Sequence, residues 1–551
     1  MQYSPIFAFL LALLITLTMV PLLIRLARRY ALVDIPGGRK GHSTPVPRIG
    51  GVAMVAAAST SIFLWSELGP PLKSVLIGMA ILCFTGLVDD LISVKWWKKL
   101  LAQGIAASVV VLYGGAEITN LGYWGSFHLI LPTWFAIPIS ILYIVGVTNA
   151  INLSDGLDGL AAGITLFIVV FLVFLAKLND VPQYYVPLAA IIGAIWGFLR
   201  FNTHPAQIFM GDTGSYFLGF SVAVFSVFVT QNSGTAASPL IILFVLGLPI
   251  IDTLAVILER IISGAPVFKP DQRHFHYRLV HLGFSEKEAV IIIYAIQALC
   301  LYLGLTLLFY PASTVVGVFL IVTFVISSAL FAAYLSGWQY RGVWWLDNLL
   351  KTFMGARARA LLVRVPLFIA TMLLCGFLLY CPLFLTGSNS SVAQAILLIF
   401  PLVIGLGYLL ENDFIKMISR MCIYYLLAFL SLELFKAAPD TQHYLGMKPW
   451  FLAYLGCLAL CTMIYVKFAS PENFTITPMD FLILLLAAAV PFIPANLIDF
   501  SGNFSPVILS IILFSFAVEA VLSYGKIEER LLVGSSMLAS VILGIKYLAA
   551  L

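Results

Sequence analysis

Long apolar runs separated by short polar segments dominate the pattern of this chain. No charged residue occurs between Met1 and Arg25, and none occurs between Asp212 and Asp252. Several runs therefore exceed the roughly 20 apolar residues that cross a bilayer as an α-helix. The runs are continuously apolar, whereas membrane strands alternate, and a helix satisfies its own backbone hydrogen bonds in lipid. The pattern predicts an all-α polytopic membrane protein.

The apolar runs fall into two groups, which predicts two membrane modules. Eleven predicted spans form the first group, at about 4–24, 50–66, 74–88, 101–114, 131–148, 160–176, 184–200, 214–230, 238–258, 288–309 and 312–335. About seven further runs form the second, near 365–386, 391–410, 419–436, 450–467, 479–496, 506–524 and 531–550. We expect a membrane domain over 1–335, a basic cytoplasmic or interfacial connector over 336–364, and a C-terminal transmembrane module over 365–551. The first run lacks a small-residue cleavage pattern, so we expect it to be retained as a span.

The composition agrees with this class and narrows the alternatives. The 551 residues are 62% hydrophobic and 10% charged, whereas soluble domains are roughly 25% charged. The seven cysteines lie within or beside apolar runs without a CxxC pair, which predicts small core residues rather than a disulfide framework or a zinc site. The net charge of +5 is small for this length, and we expect no nucleic-acid partner.

The basic residues predict the membrane face of each connecting segment. Alternation of the spans places one set of segments on a single face: 25–49, 89–100, 149–159, 201–213, 259–287 and 336–364. With Arg200 at the adjoining end of the span 184–200, this face carries twenty lysines and arginines, whereas the opposite face carries Lys73 and Lys177. By the positive-inside rule, the first face is predicted to be cytoplasmic.

Polar side chains gather at the predicted cytoplasmic ends of the spans. The aspartates of that face include Asp89, Asp90, Asp155, Asp158, Asp212 and Asp271. The segment 149–159 adds two asparagines to them. Carboxylate and amide oxygens suit a hard cation and the phosphates that it carries, although Ser154 and Asp155 also suit helix caps. We predict a site at this boundary that a soluble anion and a lipid head group can both reach.

Two of the acidic features flank predicted helices. Asp89 and Asp90 are adjacent carboxylates at the dry end of a span, which predicts a base or a metal ligand, with a simple end-of-span signal as the alternative. Asp212 lies between glycines just before a predicted helix, where backbone N–H groups can receive a phosphate. A capping role for Asp212 is compatible with that function.

Two predicted cytoplasmic loops are rich in cations. The first, 37–51, contains Arg39, Lys40 and Arg48, and the paired donors of arginine suit phosphate. The second, 270–279, holds two histidines and two arginines within six residues, which predicts an anion-binding array. A zinc site is the less favoured alternative, because no cysteine lies close by in the sequence.

Together and in this order, the motifs resemble the polyprenyl-phosphate N-acetylhexosamine-1-phosphate transferases, the bacterial membrane family that includes the MraY and WecA enzymes. The resemblance covers about residues 1–335. The matching motifs are Gly38-Arg39-Lys40 with Pro47-Arg48-Ile49-Gly50-Gly51, Asp89-Asp90 with Lys99-Leu100-Leu101-Ala102-Gln103, Asn149-Ala150-Ile151-Asn152 with Asp155-Gly156-Leu157-Asp158-Gly159, Phe209-Met210-Gly211-Asp212-Thr213-Gly214-Ser215, and His274-Phe275-His276-Tyr277-Arg278. Many relatives carry a third histidine where Tyr277 stands, so the chain resembles the WecA and teichoic-acid-initiating branch more than the peptidoglycan branch.

The resemblance implies roles for the matched residues. The implied ligands of Mg²⁺, or of Mn²⁺, are Asn152 and Asp212. The implied catalytic residues are Asp89, Asp90, Lys99, Asp155, Asp158, His274 and His276. The implied substrate-binding residues are Arg39, Lys40, Arg48, Asn149, Arg273 and Arg278. Within this set, the resemblance assigns Asp89 and Asp90 to activation of a lipid phosphate, and Asp155 and Asp158 to a nucleotide-sugar pocket.

The implied reaction transfers N-acetylhexosamine 1-phosphate, with N-acetylglucosamine as the favoured sugar, from a UDP-sugar to undecaprenyl phosphate. It releases UMP and starts a lipid-linked glycan. The implied location is the bacterial cytoplasmic membrane, with the active site on the cytoplasmic face, and a homodimer is left open. Transfer of phospho-N-acetylmuramoyl-pentapeptide is the alternative within the family.

Two alternatives lie outside that reaction. A transporter predicts broken helices and ionisable residues near mid-bilayer, but only Asp252 lies well inside a predicted span, and no internal repeat is visible. In the other, the C-terminal module is the working part and the first module a degenerate anchor. The complete set of acids and both histidines argues against that second alternative.

Overall fold

The computed structural model describes residues 4–30, 32–34, 45–231, 237–264, 273–340, 356–384, 400–406, most of 419–434, 449–468, 505–524 and 526–549. Within these residues the secondary structure is almost entirely helical, with two short strand pairs. Many of the helices are long and apolar enough to cross a membrane. The prediction of an all-α polytopic membrane protein is confirmed.

Thirteen α-helices occupy the described part of residues 4–335. They are α1 (Ser4–Arg29), α2 (Gly50–Trp65), α3 (Pro70–Ile92), α4 (Trp96–Leu112), α5 (Thr133–Leu153), α6 (Leu160–Leu178), α7 (Tyr185–Asn202), α8 (Gly211–Gln231), α9 (Ile242–Val245), α10 (Gly247–Ile262), α11 (Phe275–His281), α12 (Glu286–Thr306) and α13 (Ala312–Leu335). Nine helices of the described chain, or ten with one bent pair, have the length and apolarity of a span. Because α2 and α4 have only 16 and 17 residues, the exact number of spans stays a prediction.

The predicted span 238–258 is broken, so its prediction as one continuous helix was wrong. Pro239–Val245 and Gly247–Ile262 meet at an angle of 78°. The break frees backbone groups that lipid cannot satisfy, and the fully buried side chain of Gln297 on α12 bonds to both sides. The Leu248 N–H donates to Gln297 Oε1 at 3.1 Å, and Gln297 Nε2 donates to Val245 O at 2.8 Å.

α8 is the central helix of the first module. Every residue from Thr213 to Thr230 is buried, and α2, α3, α5 and α6 all pack against α8. Two of these contacts require glycine. A Cβ at Gly51 of α2 would lie 2.2 Å from Gly214 N, and a Cβ at Gly86 of α3 would lie 2.5 Å from Thr213 Cα. Small residues of this kind let membrane helices approach closely.

Two short antiparallel hairpins lie in the connecting segments. They pair β1 (Val33–Asp34) with β2 (Val46–Pro47), and β3 (Asn120–Trp124) with β4 (Phe127–Ile130). The end of β2 and the start of α2 also bond to the segment that precedes α8. The Phe209 N–H donates to Pro47 O at 2.7 Å, and the Gly50 N–H donates to Phe209 O at 3.0 Å. These bonds anchor the approach to α8.

The chain divides into two compact units, of which the first extends to Gly342 and the second begins at Val343. Described helices of the second unit include Ala356–Phe384, Pro449–Phe468, Ser505–Tyr524 and Lys526–Ala549. They enclose an apolar core of their own, which includes Leu374, Phe377, Leu458 and Phe514. The predicted division into 1–335, 336–364 and 365–551 stays a prediction, since most of the connector and the predicted span 479–496 lie outside the described residues.

The seven cysteines are all free. Five are buried, Cys83 is half-buried and Cys457 is exposed. The absence of a disulfide agrees with the sequence prediction, and the burial of most of these thiols fits their interpretation as small core residues.

Replacing Gly86 by alanine is expected to destabilise the first module. The added Cβ would meet backbone atoms of Thr213, which cannot rotate away, and overpacking of this kind costs about 1–3 kcal/mol. Gly146→Ala is the matched control, because Gly146 is exposed on α5 and the described residues place no atom within 4 Å of the added Cβ. Thermal unfolding of the purified protein measures the effect. Equal unfolding midpoints for the two variants would contradict the close packing of α3 on α8.

Candidate active site

The ends of four helices converge at one end of the first module. Asp89 and Asp90 lie in the last turn of α3, and Lys99 lies in the first turn of α4. Asn152 lies in the last turn of α5, and Asp212 lies in the first turn of α8. The structure therefore brings together four segments that are far apart in the sequence.

α5 extends further than the sequence predicted. The predicted span ended at residue 148, with both asparagines of the motif in a loop, whereas α5 continues to Leu153. The side chain of Asn149 accounts for this, because its amide nitrogen donates to Val145 O at 2.7 Å and to Gln103 Oε1 at 2.6 Å. Asn149 is thus hydrogen-bonded inside the bundle, and its contact with a substrate stays a prediction.

The carboxylate of Asp212 is the centre of the cluster. Its Oδ2 accepts hydrogen bonds from Lys99 Nζ at 2.9 Å and from Tyr216 OH at 3.1 Å. Its Oδ1 accepts a bond from Asn152 Nδ2 at 3.1 Å, and the same amide nitrogen donates to Ser215 Oγ at 2.7 Å. The two residues predicted as metal ligands are therefore in direct contact at one end of the bundle.

Asp90 acts on Asp212 through the backbone. Its Oδ1 accepts from the Asp212 N–H at 2.8 Å, and its Oδ2 accepts from the Thr213 N–H at 3.2 Å and from Thr213 Oγ1 at 2.9 Å. The first N–H groups of a helix have no partner within the helix, so Asp90 caps α8 from a neighbouring helix. This bond fixes the direction in which the Asp212 side chain points.

Asp89 and Asp212 share one positively charged partner, Lys99. Asp89 Oδ1 accepts from the Val94 N–H, and Asp89 Oδ2 lies 2.5 Å from Lys99 Nζ. Asp212 Oδ2 lies 2.9 Å from the same ammonium group. Two acids this close to one another repel unless a cation stands near both, and Lys99 supplies that charge.

Asp155 begins the loop between α5 and α6 and is poised to exchange a proton near neutral pH. Burial raises the pKa of Asp155 to about 7, and the negative charges of Asp212, Asp90 and Asp158 act in the same direction. The positive charge of Arg48 opposes this shift. A carboxyl group with such a pKa can serve as an acid or a base, or can take up a cation.

Asp158 is engaged by a histidine that the sequence analysis did not select. Asp158 Oδ2 lies 3.0 Å from His204 Nδ1 and accepts the Ala206 N–H at 3.0 Å, and Glu286 Oε2 lies 3.4 Å from the same histidine nitrogen. Hydrogen bonds to Asp158 and Glu286 raise the pKa of His204 to about 9. The three side chains also have the spacing of a metal site, but a protonated imidazole between the two carboxylates already offsets one of their two negative charges.

The histidine motif is held by Asp252. His274 Nδ1 lies 2.9 Å from Asp252 Oδ2, and the Phe275 N–H donates to Asp252 Oδ1 at 2.9 Å. The ring of His276 lies parallel to that of His274, with centroids 6.0 Å apart. A Cβ at Gly156 would lie 2.1 Å from His276 Nε2, so the histidine motif packs directly on the loop that carries Asp155.

His276 presents a neutral ring with an unsatisfied nitrogen. Burial lowers the pKa of His276 to about 4, so the ring is uncharged at neutral pH. Its Nε2 is buried and has no hydrogen-bond partner among the described residues. Buried polar atoms are nearly always paired, and this nitrogen therefore points to a ligand. The sequence analysis predicted an anion-binding array of positive charges here. The neutral ring of His276 instead offers a hydrogen bond.

The arginines of the motif are bound to the protein itself. Arg278 is buried, pairs with Glu259 of α10 and donates from Nε to Arg273 O at 2.7 Å. Arg273 donates from Nη1 to Ser263 Oγ at 3.0 Å and lies 3.7 Å from Glu259 Oε1. Their roles in substrate binding stay predictions. So do those of Arg39 and Lys40, which lie outside the described residues.

The donor set fits a hard divalent cation. Asp212, Asp89 and Asn152 together offer two carboxylates and an amide oxygen, the ligand types that Mg²⁺ and Mn²⁺ take in proteins. The two carboxylates that share Lys99 also carry one negative charge more than that lysine offsets, and such an ion would neutralise it. Asn152 turns its amide nitrogen toward Asp212, so the amide group would have to flip for its oxygen and the Asp212 carboxylate to bind one ion.

Several residues of the site were missed because their sequence signal is weak. Tyr216 looks like any aromatic residue of a span, and Glu259 and Glu286 look like ordinary charges at helix ends. His204 lies within a polar connecting segment without a charged neighbour in the sequence. Asp252 was noticed as an ionisable residue inside a span but was not assigned to the site, although such a position by itself favours a functional role.

The chain is similar to known membrane transferases. Residues 72–230 match the family described as glycosyl transferase family 4. A protein of Bacillus subtilis (strain 168), described as a probable undecaprenyl-phosphate N-acetylglucosaminyl 1-phosphate transferase, is 35% identical over 52% of this chain and 81% of its own length. A decaprenyl-phosphate N-acetylglucosaminephosphotransferase of Mycobacterium leprae (strain TN) is 35% identical over 49% of this chain and 75% of its own.

A more distant relative belongs to a Gram-negative bacterium. The undecaprenyl-phosphate alpha-N-acetylglucosaminyl 1-phosphate transferase of Escherichia coli (strain K12) is 26% identical over 51% of this chain and 77% of its own length. The segment 72–230 that matches the family contains the whole cluster of Asp89, Asp90, Lys99, Asn152 and Asp212. The convergent helix ends thus lie in the part of the chain that is shared with the family.

The ion pairs of His204 are expected to make the stability of the first module depend on pH. The folded-state pKa of about 9 lies above the ordinary value of 6.5, so the contribution is complete below about pH 6.5 and is lost as the pH rises through 9. The unfolding midpoint of His204→Gln should therefore fall below that of the wild type at pH 6 and approach it near pH 10. Asp158→Asn should show the same trend. A difference between wild type and H204Q that does not change with pH would contradict the bridge.

Proposed function

The chain belongs to glycosyl transferase family 4, and we propose that it transfers N-acetylglucosamine 1-phosphate from UDP-N-acetylglucosamine to a polyprenyl phosphate, with undecaprenyl phosphate as the expected acceptor. An oxygen of the lipid phosphate forms a bond to the β-phosphorus of the donor. The bond from that phosphorus to the oxygen shared with the α-phosphate breaks. UMP leaves with the electron pair, and the product is a lipid diphosphate sugar.

The observation that carries this proposal is the contact between Asn152 and Asp212 beside Asp89 and Lys99. These residues lie within the matched segment 72–230, and the relatives named above are sugar-1-phosphate transferases that act on polyprenyl phosphates. Both substrates are polyanions, so their mutual repulsion is the first barrier to reaction. A bound Mg²⁺ or Mn²⁺ would neutralise charge on the donor phosphates, and Asp212 and Asn152 are the residues that would hold it.

Asp89 and Asp90, at the end of α3, have different roles in the proposed reaction. Both carboxylate oxygens of Asp90 accept hydrogen bonds from the start of α8, from the backbone N–H groups of Asp212 and Thr213 and from the Thr213 hydroxyl group. The role of Asp90 is therefore to hold Asp212 in place. Asp89 faces Lys99 and is the acid placed to orient the lipid phosphate and to accept a residual proton from it. Lys99 then offers a positive charge to the same phosphate.

The donor sugar is assigned to the side formed by the Asp155 loop and the histidine motif. The unsatisfied Nε2 of His276 lies against Gly156, the residue that follows Asp155, whose carboxyl group has a pKa in the neutral range. Neutral hydrogen-bonding groups of this kind suit the hydroxyl and acetamido groups of a sugar better than its phosphates. The names of the relatives favour N-acetylglucosamine over a muramoyl-pentapeptide donor.

Two features that a transporter would also show have a local explanation. The broken span at α9 and α10 and the intramembrane Asp252 are both present. However, Asp252 is bonded to His274 and Phe275, and the break is closed by Gln297. Both features therefore serve to hold the histidine motif, which supports the transferase.

We place the site on the cytoplasmic face of the bacterial inner membrane. The predicted face carries twenty basic residues against two on the opposite face, and the positive-inside rule orients such a protein. The expected donor is a nucleotide sugar, a soluble anion of the cytosol. The proposed active site thus lies where a soluble substrate and a lipid head group meet.

Asp212→Asn is expected to lower turnover by at least about 100-fold, because a charged ligand of the ion is lost. The assay measures Mg²⁺-dependent release of UMP from UDP-N-acetylglucosamine with undecaprenyl phosphate, using the purified full-length chain. Asp180→Asn is the matched control. Asp180 is exposed after α6 and has a φ of 51°, a conformation that asparagine also adopts. Full turnover by D212N, or turnover that survives removal of divalent ions by EDTA, would refute the metal assignment.

The same assay with a panel of UDP-sugars tests the donor. UDP-N-acetylglucosamine is expected to give the highest kcat/KM, and UDP-N-acetylmuramoyl-pentapeptide is expected to give little turnover. A preference for the pentapeptide donor would overturn the sugar assignment and leave the reaction type intact.

A further inference from the structure

Lys99 occupies the position between two carboxylates where a divalent cation would also bind. Its Nζ lies 2.5 Å from Asp89 Oδ2 and 2.9 Å from Asp212 Oδ2. The same lysine therefore neutralises the residue proposed to hold the ion and the residue proposed to face the lipid phosphate. One ammonium group therefore neutralises both carboxylates, whereas the proposed reaction needs Asp212 for the ion and Asp89 for the lipid phosphate.

The hydrogen bonds of Asp212 show which donor can leave. A carboxylate offers about four lone-pair positions, and those of Asp212 already receive Lys99, Tyr216 and Asn152. Tyr216 is buried at 2% exposure, whereas the Lys99 side chain is 26% exposed. The lysine head can move by rotation of its long, flexible stem, while the tyrosine hydroxyl is fixed by its buried ring.

Resting on the proposed function, we propose that Lys99 is a displaceable counter-cation. Without a divalent ion it neutralises Asp89 and Asp212 together. Binding of the ion to Asp212 and Asn152 releases the Lys99 ammonium group, which then pairs with a phosphate of the lipid acceptor. Because binding free energies are reciprocal, the ion and the lipid phosphate strengthen each other's binding through this one side chain.

The decisive measurement is Mn²⁺ binding to the purified full-length protein without substrates, followed by electron paramagnetic resonance. Lys99→Met removes the competing charge and is expected to tighten Mn²⁺ binding about tenfold, since two unit charges a few ångströms apart interact strongly in a partly dry site. Lys99→Arg keeps the charge and should bind Mn²⁺ as weakly as the wild type. An unchanged, weaker or undetectable affinity for Mn²⁺ in K99M overturns the proposal.

Lys98→Met is the matched control. Lys98 is the adjacent residue on α4, and its ammonium group lies over the Trp97 ring at 5.6 Å rather than in the carboxylate cluster. This variant loses the same charge from the same helix turn, so its Mn²⁺ affinity should stay at the wild-type value. Equal tightening in K98M and K99M would show a general charge effect and would also overturn the proposal.

A labelling experiment on the wild-type protein does not depend on the folding of a variant. Amine-reactive labelling followed by mass spectrometry reports the accessibility of each lysine. Saturating Mg²⁺ should increase the labelling rate of Lys99 several-fold, because its ammonium group leaves both carboxylates, and should leave Lys98 unchanged. A constant or reduced rate at Lys99 would overturn the displacement.

The double variant Lys99→Met with Asp212→Asn separates this inference from the proposed function. Loss of Mn²⁺ binding in the double variant supports the metal site at Asp212, whatever the effect of Lys99 alone. Tight binding that persists in the double variant would place the ion elsewhere and would overturn the metal assignment together with the role of Lys99. Failure of K99M alone to tighten binding overturns only the role of Lys99.

Discussion

The bond between the Asp90 carboxylate and the start of α8 is the constraint on which the site depends. The first N–H groups of a helix lack partners, and at the edge of a membrane each unsatisfied group costs several kcal/mol. Asp90 satisfies the N–H groups of Asp212 and Thr213 from another helix, and its charge also suits the positive end of the helix dipole. The bond is geometrically possible only because Gly86 lets α3 approach the α8 backbone. The orientation of Asp212 follows from this contact.

The sequence predicted the features that depend on composition along the chain. Apolar runs marked α1 to α8, the bent pair α9–α10, α12 and α13, because a span must exclude charge over about 20 residues. The polar motifs at their ends marked Asn152, Asp212 and the Asp89–Asp90 pair, and alternation of the spans placed them on one face. Their meeting at one end of the bundle is what that alternation required.

The remaining features depend on which helix faces meet, and an apolar pattern does not specify this. The break between α9 and α10 required a partner on α12, so the run 238–258 alone looked continuous. In the same way, the partner of Arg278 lies on α10, and the arginine looked available for substrate until that partner was in place. The cationic motif consequently contributes less free positive charge than its composition suggested, and the acids dominate the site. A site of this sign needs additional cations before two polyanions can share it.

The bend closed by Gln297 has a mechanical consequence. Because both of its bonds run from α12 to the bend, the direction of α10 is set by a neighbouring helix rather than by residues of the bent segment. α10 in turn carries Asp252, which bonds to His274, and Glu259, which pairs with Arg278, so α10 contacts both ends of the histidine motif. Gln297 therefore couples the direction of α10, and with it the histidine motif, to α12. The same helix is tied to the loop that carries Asp155, because Tyr294 OH donates to Gly159 O at 2.8 Å. A shift of α12 would thus act on both sides of the proposed sugar site.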